Sequence, residues 1–388
     1  MHVHHVDRWF LAAISLSLLL VDLPRMATAG DRIAVIDITD LYHPHQDPGD
    51  NLDLIAAYGL PEIDLRGVVL DVTDPFRGRE TRDAKGKLLD NTGPREPGFV
   101  PVWQLNYVFD RNVPMGVGPF RRMRSPTDHM PALPAFQQSG IDLIFRLLEE
   151  SAEKFEIVSF GSARPLAVAY RRNPSLLRRK VRRIHLCAGA TDAELIEWNV
   201  RLDPNAMVSL LRSDLPIAVY PCATDSPFHY GPHNTFWRLP DLTFIRRMDP
   251  RLQSYLAFAF TRSSRPDFLR AMDQRPKEND LAAICRRPHK VWETAVWMAV
   301  ARRKLVQRAG GTFRIVPEDE VAAGDTVLPG QLRPCTIDVQ DDGRFTFAIT
   351  TEPTNFLIYD RGDAKANESA LRVALPALYR SFRPPKQE

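Results

Sequence analysis

From residue 33 onward the chain alternates short apolar runs with amphipathic stretches. Residues 33–36 read as a β-strand, residues 54–60 as a helix ended by Gly59 and Pro61, and residues 63–70 as a second strand. Strand, helix and strand in that succession make a βαβ unit. Residues 113–117 resume as a strand. Residues 141–155 form an amphipathic helix, with Ile141, Ile144, Phe145, Leu147 and Leu148 on one side and Glu149, Glu150, Glu153 and Lys154 on the other. Strands follow at 157–160, 183–187 and 216–220, and helices open at Pro165 and at Asp203-Pro204. Six βα units in regular succession predict an α/β fold with a doubly wound, mostly parallel sheet. A further helix runs through Tyr255 to Phe260, and residues 291–309 read as a strong helix. Residues 336–358 alternate around Asp341-Asp342-Gly343 and predict a hairpin, which with a helix over 368–380 makes a small C-terminal extension.

The pattern breaks in three places. Residues 1–29 combine a head bearing Arg8, a twelve-residue apolar segment (10–21) and Ala27-Thr28-Ala29, which reads as a cleaved secretory signal. The alternative is an uncleaved anchor, but twelve residues fall short of a bilayer's thickness. The expectation is an exported, periplasmic or secreted protein with no membrane attachment after cleavage. Residues 30–388 then form a single domain, with loop insertions at about 75–135 and 223–288. The first insertion is rich in Gly, Pro and charge. The second is rich in aromatic and His residues, which either stack on a ligand or fill a core.

Composition narrows the functional classes. Lys+Arg at 51 against Asp+Glu at 48 gives a net charge of +3, so no nucleic-acid partner is expected. Cys187, Cys222, Cys285 and Cys335 are far apart and in no CxxC pattern, which excludes a zinc ribbon and leaves open whether any of them pair.

The densest chemistry lies between Asp37 and Asp53, where Asp37, Asp40, Asp47, Asp50 and Asp53 fall within seventeen residues. Brought together by a fold, they require a counter-charge, most simply a divalent cation with oxygen ligands. Spread out, they are a solvated acidic loop. Asp40, like Asp71 and Asp74 after the second strand, falls at the carboxyl end of a strand, where open parallel sheets place their ligand crevice.

Several of these pieces resemble the inosine–uridine-preferring nucleoside hydrolase family. Thr39-Asp40 and Asp47-Pro48-Gly49-Asp50 resemble its DTDPGxDD, split here by the insertion LYHPHQ, and residues 61–68 resemble its PExxLxGI strand. Its GxLTNxA turn resembles residues 161–167, and the RxPEL that ends the following helix resembles residues 172–176. Its GGA and EFNxxxDPEAA resemble Ala188-Gly189-Ala190 and Glu197-Trp198-Asn199 with Asp203-Pro204-Asn205-Ala206, and its SGxPIxxxP resembles residues 213–221.

The resemblance implies that family's α/β fold and a calcium-dependent hydrolase of the N-glycosidic bond of a ribonucleoside or related ribosyl compound. Carried over, it makes Asp40, Asp47, Asp50, the Phe160 carbonyl and Glu293 the metal ligands, with Asp53 as a reserve. Asp40 becomes the base, and Asp74, Glu197 and Asn199 become sugar contacts. The family's late HDP motif is absent; Glu293 takes its place, and His289 is either the leaving-group acid or a plain helix-start histidine. The pattern also departs at Asn51, where the family has a second carboxylate, and at Ala163-Arg164-Pro165. The alternative function is a non-catalytic, metal-dependent nucleoside or sugar-binding protein. The expected partner is a small-molecule nucleoside or ribosyl compound, and a homo-oligomer is compatible with the sequence.

Overall fold

The structure, a computed structural model, describes residues 32–41, 48–74, 96–222 and 231–385. The segment expected to be a signal, Asp47 and part of each expected insertion lie outside the described residues.

A nine-stranded sheet organises the chain: β1 (Ile33–Thr39), β2 (Ile63–Leu70), β3 (Met115–Val117), β4 (Phe155–Ser159), β5 (Val181–Leu186), β6 (Ile217–Val219), β7 (Gln331–Val339), β8 (Phe345–Ile349) and β9 (Phe356–Asp360). Their spatial order is β8-β7-β9-β6-β5-β4-β1-β2-β3. Pairing is parallel from β9 to β3 and antiparallel only where β7 meets β9 and β8. Helices on both faces bury the runs that sequence alternation marks as core, so β1 is covered from Ala34 to Ile38.

The winding decides where a site can form. The chain lays β1, β2 and β3 outward in one direction, then returns to place β4 on the other side of β1. Loops leaving β1 and β4 therefore diverge to opposite faces and open a crevice at their carboxyl ends.

Three sequence expectations change. The helix expected over 291–309 spans only Thr294–Val300; Arg302 then takes a left-handed conformation (φ 53°), and Arg303–Gln307 pairs with Phe313–Pro317 as an antiparallel hairpin. The Gly310-Gly311 turn between two β-type runs is the signal that outweighs helical periodicity there. The helix Phe99–Phe109 has no counterpart in the sequence reading, which treated residues 75–100 as a loop. The C-terminal hairpin forms around Gly343 as expected, but β7 and β9 join it to the main sheet. Among the described residues, no helix is long and apolar enough to cross a membrane.

Candidate active site

Asp40 leaves β1 and Phe160 leaves β4, so both stand at the switch-point crevice. The turn after Phe160 needs glycine: a Cβ on Gly161 would lie 2.5 Å from Asp71 Oδ2 and 3.2 Å from Asp40 Cβ. With no side chain there, the carboxyl ends of β1, β2 and β4 close to within contact.

A cavity of about 340 Å³ opens in this crevice. Asp40, Asp50, Phe160, Glu197, Asn199 and Glu293 all line it, although they come from five separate stretches of chain. Trp198, Phe236 and Trp292 supply aromatic walls, and Arg201 and Lys290 also line it.

Beneath lies a tighter acidic group. Asp50 and Asp53 stand on the helix Pro48–Gly59 at a spacing of three, which puts them on one face. Glu293 immediately precedes the helix Thr294–Val300, and ligand oxygens of Asp50, Asp53 and Glu293 lie within 4.8 Å of one another, all buried. Asp53 Oδ2 and, nearby on β1, Asp37 Oδ1 are buried without a hydrogen-bond partner. Burial and then the charge of Glu293 push the Asp37 carboxyl up to about 8. Asp53 is raised well above the carboxylate range, by burial first, then by the charge of Glu293, the hydrogen bond shared with it and the charge of Asp50. Three buried carboxylates, an orphaned oxygen and an all-oxygen donor set fit a hard divalent cation. The family pattern ranked Asp53 below Asp40 as a ligand; its i, i+3 relation to Asp50 is the signal that would have raised it.

The sugar-side candidates are held by the backbone. Glu197 caps the helix Trp198–Leu202, accepting from the amides of Gly189 (2.8 Å), Asn199 (3.0 Å) and Val200 (3.4 Å). Burial lifts its carboxyl to about 6 against the pull of those amides. Asn199 donates its side-chain amide to Cys187 O at 2.9 Å. The Asn51 departure lies in the core, where its Oδ1 accepts from Tyr255 Oη at 3.0 Å.

Two expected site residues fall elsewhere. His289 does not line the cavity. It belongs to the strand His289–Val291, opposite Leu239, and strand alternation turns Lys290 and Trp292 toward the cavity instead. Burial and then the charge of Arg287 lower its imidazole to about 3, so it stays neutral, and its Nε2 has no hydrogen-bond partner. Asp74 is half-exposed, 3.8 Å from Arg121, and lines a separate surface cavity with Arg121, Arg122 and Arg124. The acid from the end of β2 that meets the turn after β4 is Asp71, whose Oδ2 accepts from the Ser162 amide at 2.5 Å.

The Arg164 departure has a structural role. Arg164 is fully buried: Nε donates to Asp203 Oδ2 (2.8 Å), Nη1 to the carbonyls of Val72 (3.0 Å) and Pro119 (2.6 Å), and Nη2 to Thr73 Oγ1 (2.9 Å). Asp203 in turn accepts from the amides of Met123 (2.9 Å) and Ala206 (3.1 Å). One guanidinium thus fixes the loops after β2, β3 and β5.

These features define a class: a doubly wound α/β protein with a buried acidic crevice at its switch point. Within that class the fold is similar to that of the nucleoside hydrolases, and part of the chain is similar to them in sequence. It is 25% identical over 182 residues to the pyrimidine-specific ribonucleoside hydrolase RihA of Escherichia coli, a match covering 45% of this chain and 57% of that protein. The matched region thus spans little more than half of that relative. The purine-preferring ribonucleoside hydrolase from Gardnerella vaginalis superposes with a TM-score of 0.51 at 15% identity, covering 89% of this chain and 99% of the other. The inosine–uridine-preferring nucleoside hydrolase from Bacillus anthracis gives a TM-score of 0.46 at 14% identity, over 90% and 99%. No family model matches the sequence.

Proposed function

We propose that this protein is an exported, calcium-dependent hydrolase of the N-glycosidic bond of a ribonucleoside or related ribosyl compound. The observation that carries this reading is the single cavity that gathers Asp40, Asp50, Phe160, Glu197, Asn199 and Glu293 at the switch point. The ribonucleoside hydrolases among its relatives and fold neighbours, whose names span pyrimidine-specific and purine-preferring enzymes, supply the substrate class.

Asp50, Asp53 and Glu293 would hold the cation, with the Phe160 carbonyl at the cavity edge as a further oxygen donor. Bound there, calcium supplies Lewis acidity toward water and the ribose hydroxyls. Asp40 is the general base, accepting the proton of the attacking water as charge develops on the anomeric carbon. Glu197 and Asn199, immobilised by the backbone, orient the sugar hydroxyls, and that fixed geometry lowers the entropic part of the barrier. Trp198, Phe236 and Trp292 give the base an apolar, stacking surface.

The test is base release from a panel of purine and pyrimidine ribonucleosides, followed chromatographically with calcium and with chelator. The expected result is calcium-dependent release that falls about 10²- to 10⁴-fold in Asp40→Asn. A second reading, a metal-dependent sugar-binding protein without turnover, is favoured by the placement of His289 away from the cavity, which removes it as leaving-group acid. Calorimetric ribose binding that needs calcium, with no base released from any nucleoside, would establish that reading in place of the first. Absence of any calcium effect on binding, release or thermal stability rejects both.

A further inference from the structure

We propose that Cys187 and Cys222 are a vicinal thiol pair that closes to a disulfide in the wall of the cavity. The two sulfurs stand 3.4 Å apart, and both residues are free thiols. They lie just beyond the carboxyl ends of adjacent parallel strands, β5 and β6, and the backbone already ties the two loops together: Tyr220 N donates to Leu186 O and Cys222 N to Gly189 O, each at 2.9 Å. A disulfide requires the sulfurs to approach to about 2.05 Å, a displacement that side-chain rotation supplies when the backbones are this close.

Access is asymmetric, and that sets the order of events. Cys222 lines the cavity, whereas Cys187 is buried behind it. A low-molecular-weight disulfide entering the cavity is attacked by the Cys222 sulfur after that thiol gives up its proton, and one thiol leaves. Cys187, deprotonated in turn, then attacks Cys222 Sγ and displaces the second thiol. Over the two steps the pair loses two protons and two electrons, and the entering disulfide is reduced to two thiols.

The bond would couple two sides of the site. Cys187 O holds the Asn199 side-chain amide at 2.9 Å, and Cys222 O accepts from Trp292 Nε1 at 3.2 Å. Oxidation fixes the span between the sugar-side asparagine and the aromatic wall. It also closes a loop from residue 187 to residue 222, which removes conformational freedom from the unfolded chain.

The full chain is incubated with oxidised glutathione and then digested without reduction. The expected product is a Cys187–Cys222 cross-linked peptide about 2 Da lighter than the sum of its parts, with Cys285 and Cys335 unmodified and Tm raised by about 5 °C, reversed by dithiothreitol. Cys222→Ser should show neither the cross-link nor the Tm rise. Peptide mapping of the wild-type chain needs no variant to fold. Two free thiols after oxidation, or a stable glutathione adduct on Cys222 with Cys187 still free, overturns the proposal. Neither result depends on turnover.

Discussion

Two groups of buried carboxylates differ in how their charges are balanced. On one side Asp203 is neutralised within the chain, because Arg164 and backbone amides occupy its oxygens and the guanidinium also stands near Asp71. On the other side Asp50, Asp53 and Glu293 stand together, and the charge of Glu293 is also felt by Asp37 on β1. Both groups cost desolvation energy, but among the described residues a basic side chain hydrogen-bonded to a carboxylate is shown for the first, at Arg164. The difference teaches how to read acidic clusters in a fold: one with an internal cation is architecture, and one without is a place built for something that binds.

Four measurements can break that contrast. Arg164→Met should have the largest effect, destabilising the protein by about 3–5 kcal/mol in urea unfolding, because Asp203 is left buried and charged without its partner. Calcium should stabilise this variant as much as the wild type, so the difference between the two persists. If Arg164→Met unfolds at the wild-type midpoint, the first group is not held by its guanidinium.

Next, calcium at about a hundredfold its Kd should stabilise the wild type by about 2.7 kcal/mol, read as a Tm shift, and Asp53→Asn should abolish the shift. The same substitution should leave the calcium-free protein as stable as the wild type or more so, since it relieves like-charge repulsion. Opposite signs at Arg164 and Asp53 are the signature of the contrast, and equal losses at both would remove it.

The third measurement is the pH dependence of the calcium-free chain. Asp37 has an ordinary value of 3.8 and is pushed up to about 8 in the fold, so the native state holds this proton more tightly than the unfolded chain does. Its contribution is complete below about pH 4 and is lost as pH rises toward 8. Calcium-free Tm should therefore fall across that window, and Asp37→Asn should flatten the fall.

The smallest effect is expected at Tyr255→Phe, which removes the hydrogen bond to Asn51 and should cost about 1 kcal/mol while leaving the calcium shift intact. A lost calcium shift in that variant would move Asn51 from the core into the metal site.

Much of this arrangement is legible in the sequence, for identifiable reasons. The βαβ succession sets the parallel sheet, and the sheet sets the crevice, so a residue placed at a strand's carboxyl end, such as Asp40 or Phe160, is placed at the site as well. Glu197 and Asn199 follow from an ordered motif whose capping geometry is local. The failures occur where a long-range partner decides. His289 lies in a strand because Leu239 is there to pair with it, and no feature within a few residues of His289 says so. Arg164 reads as a departure from a family turn until the carbonyls of Val72 and Pro119 arrive around it. Asp74 and Asp71 both follow β2, and the choice between them is made by the glycine turn after β4.

The helix that bears Asp50 and Asp53 is fastened from the far end of the chain: Tyr379 Oη donates to Leu52 O at 3.0 Å, across 327 positions of sequence. Strand β9 likewise takes its place beside β6 only after residues 356–360 are made. During synthesis, then, the acidic helix emerges well before this anchor and waits for it until Tyr379 has left the ribosome. A chain truncated before Tyr379 would retain every residue of the cavity, yet lack the brace that holds the acidic helix in position.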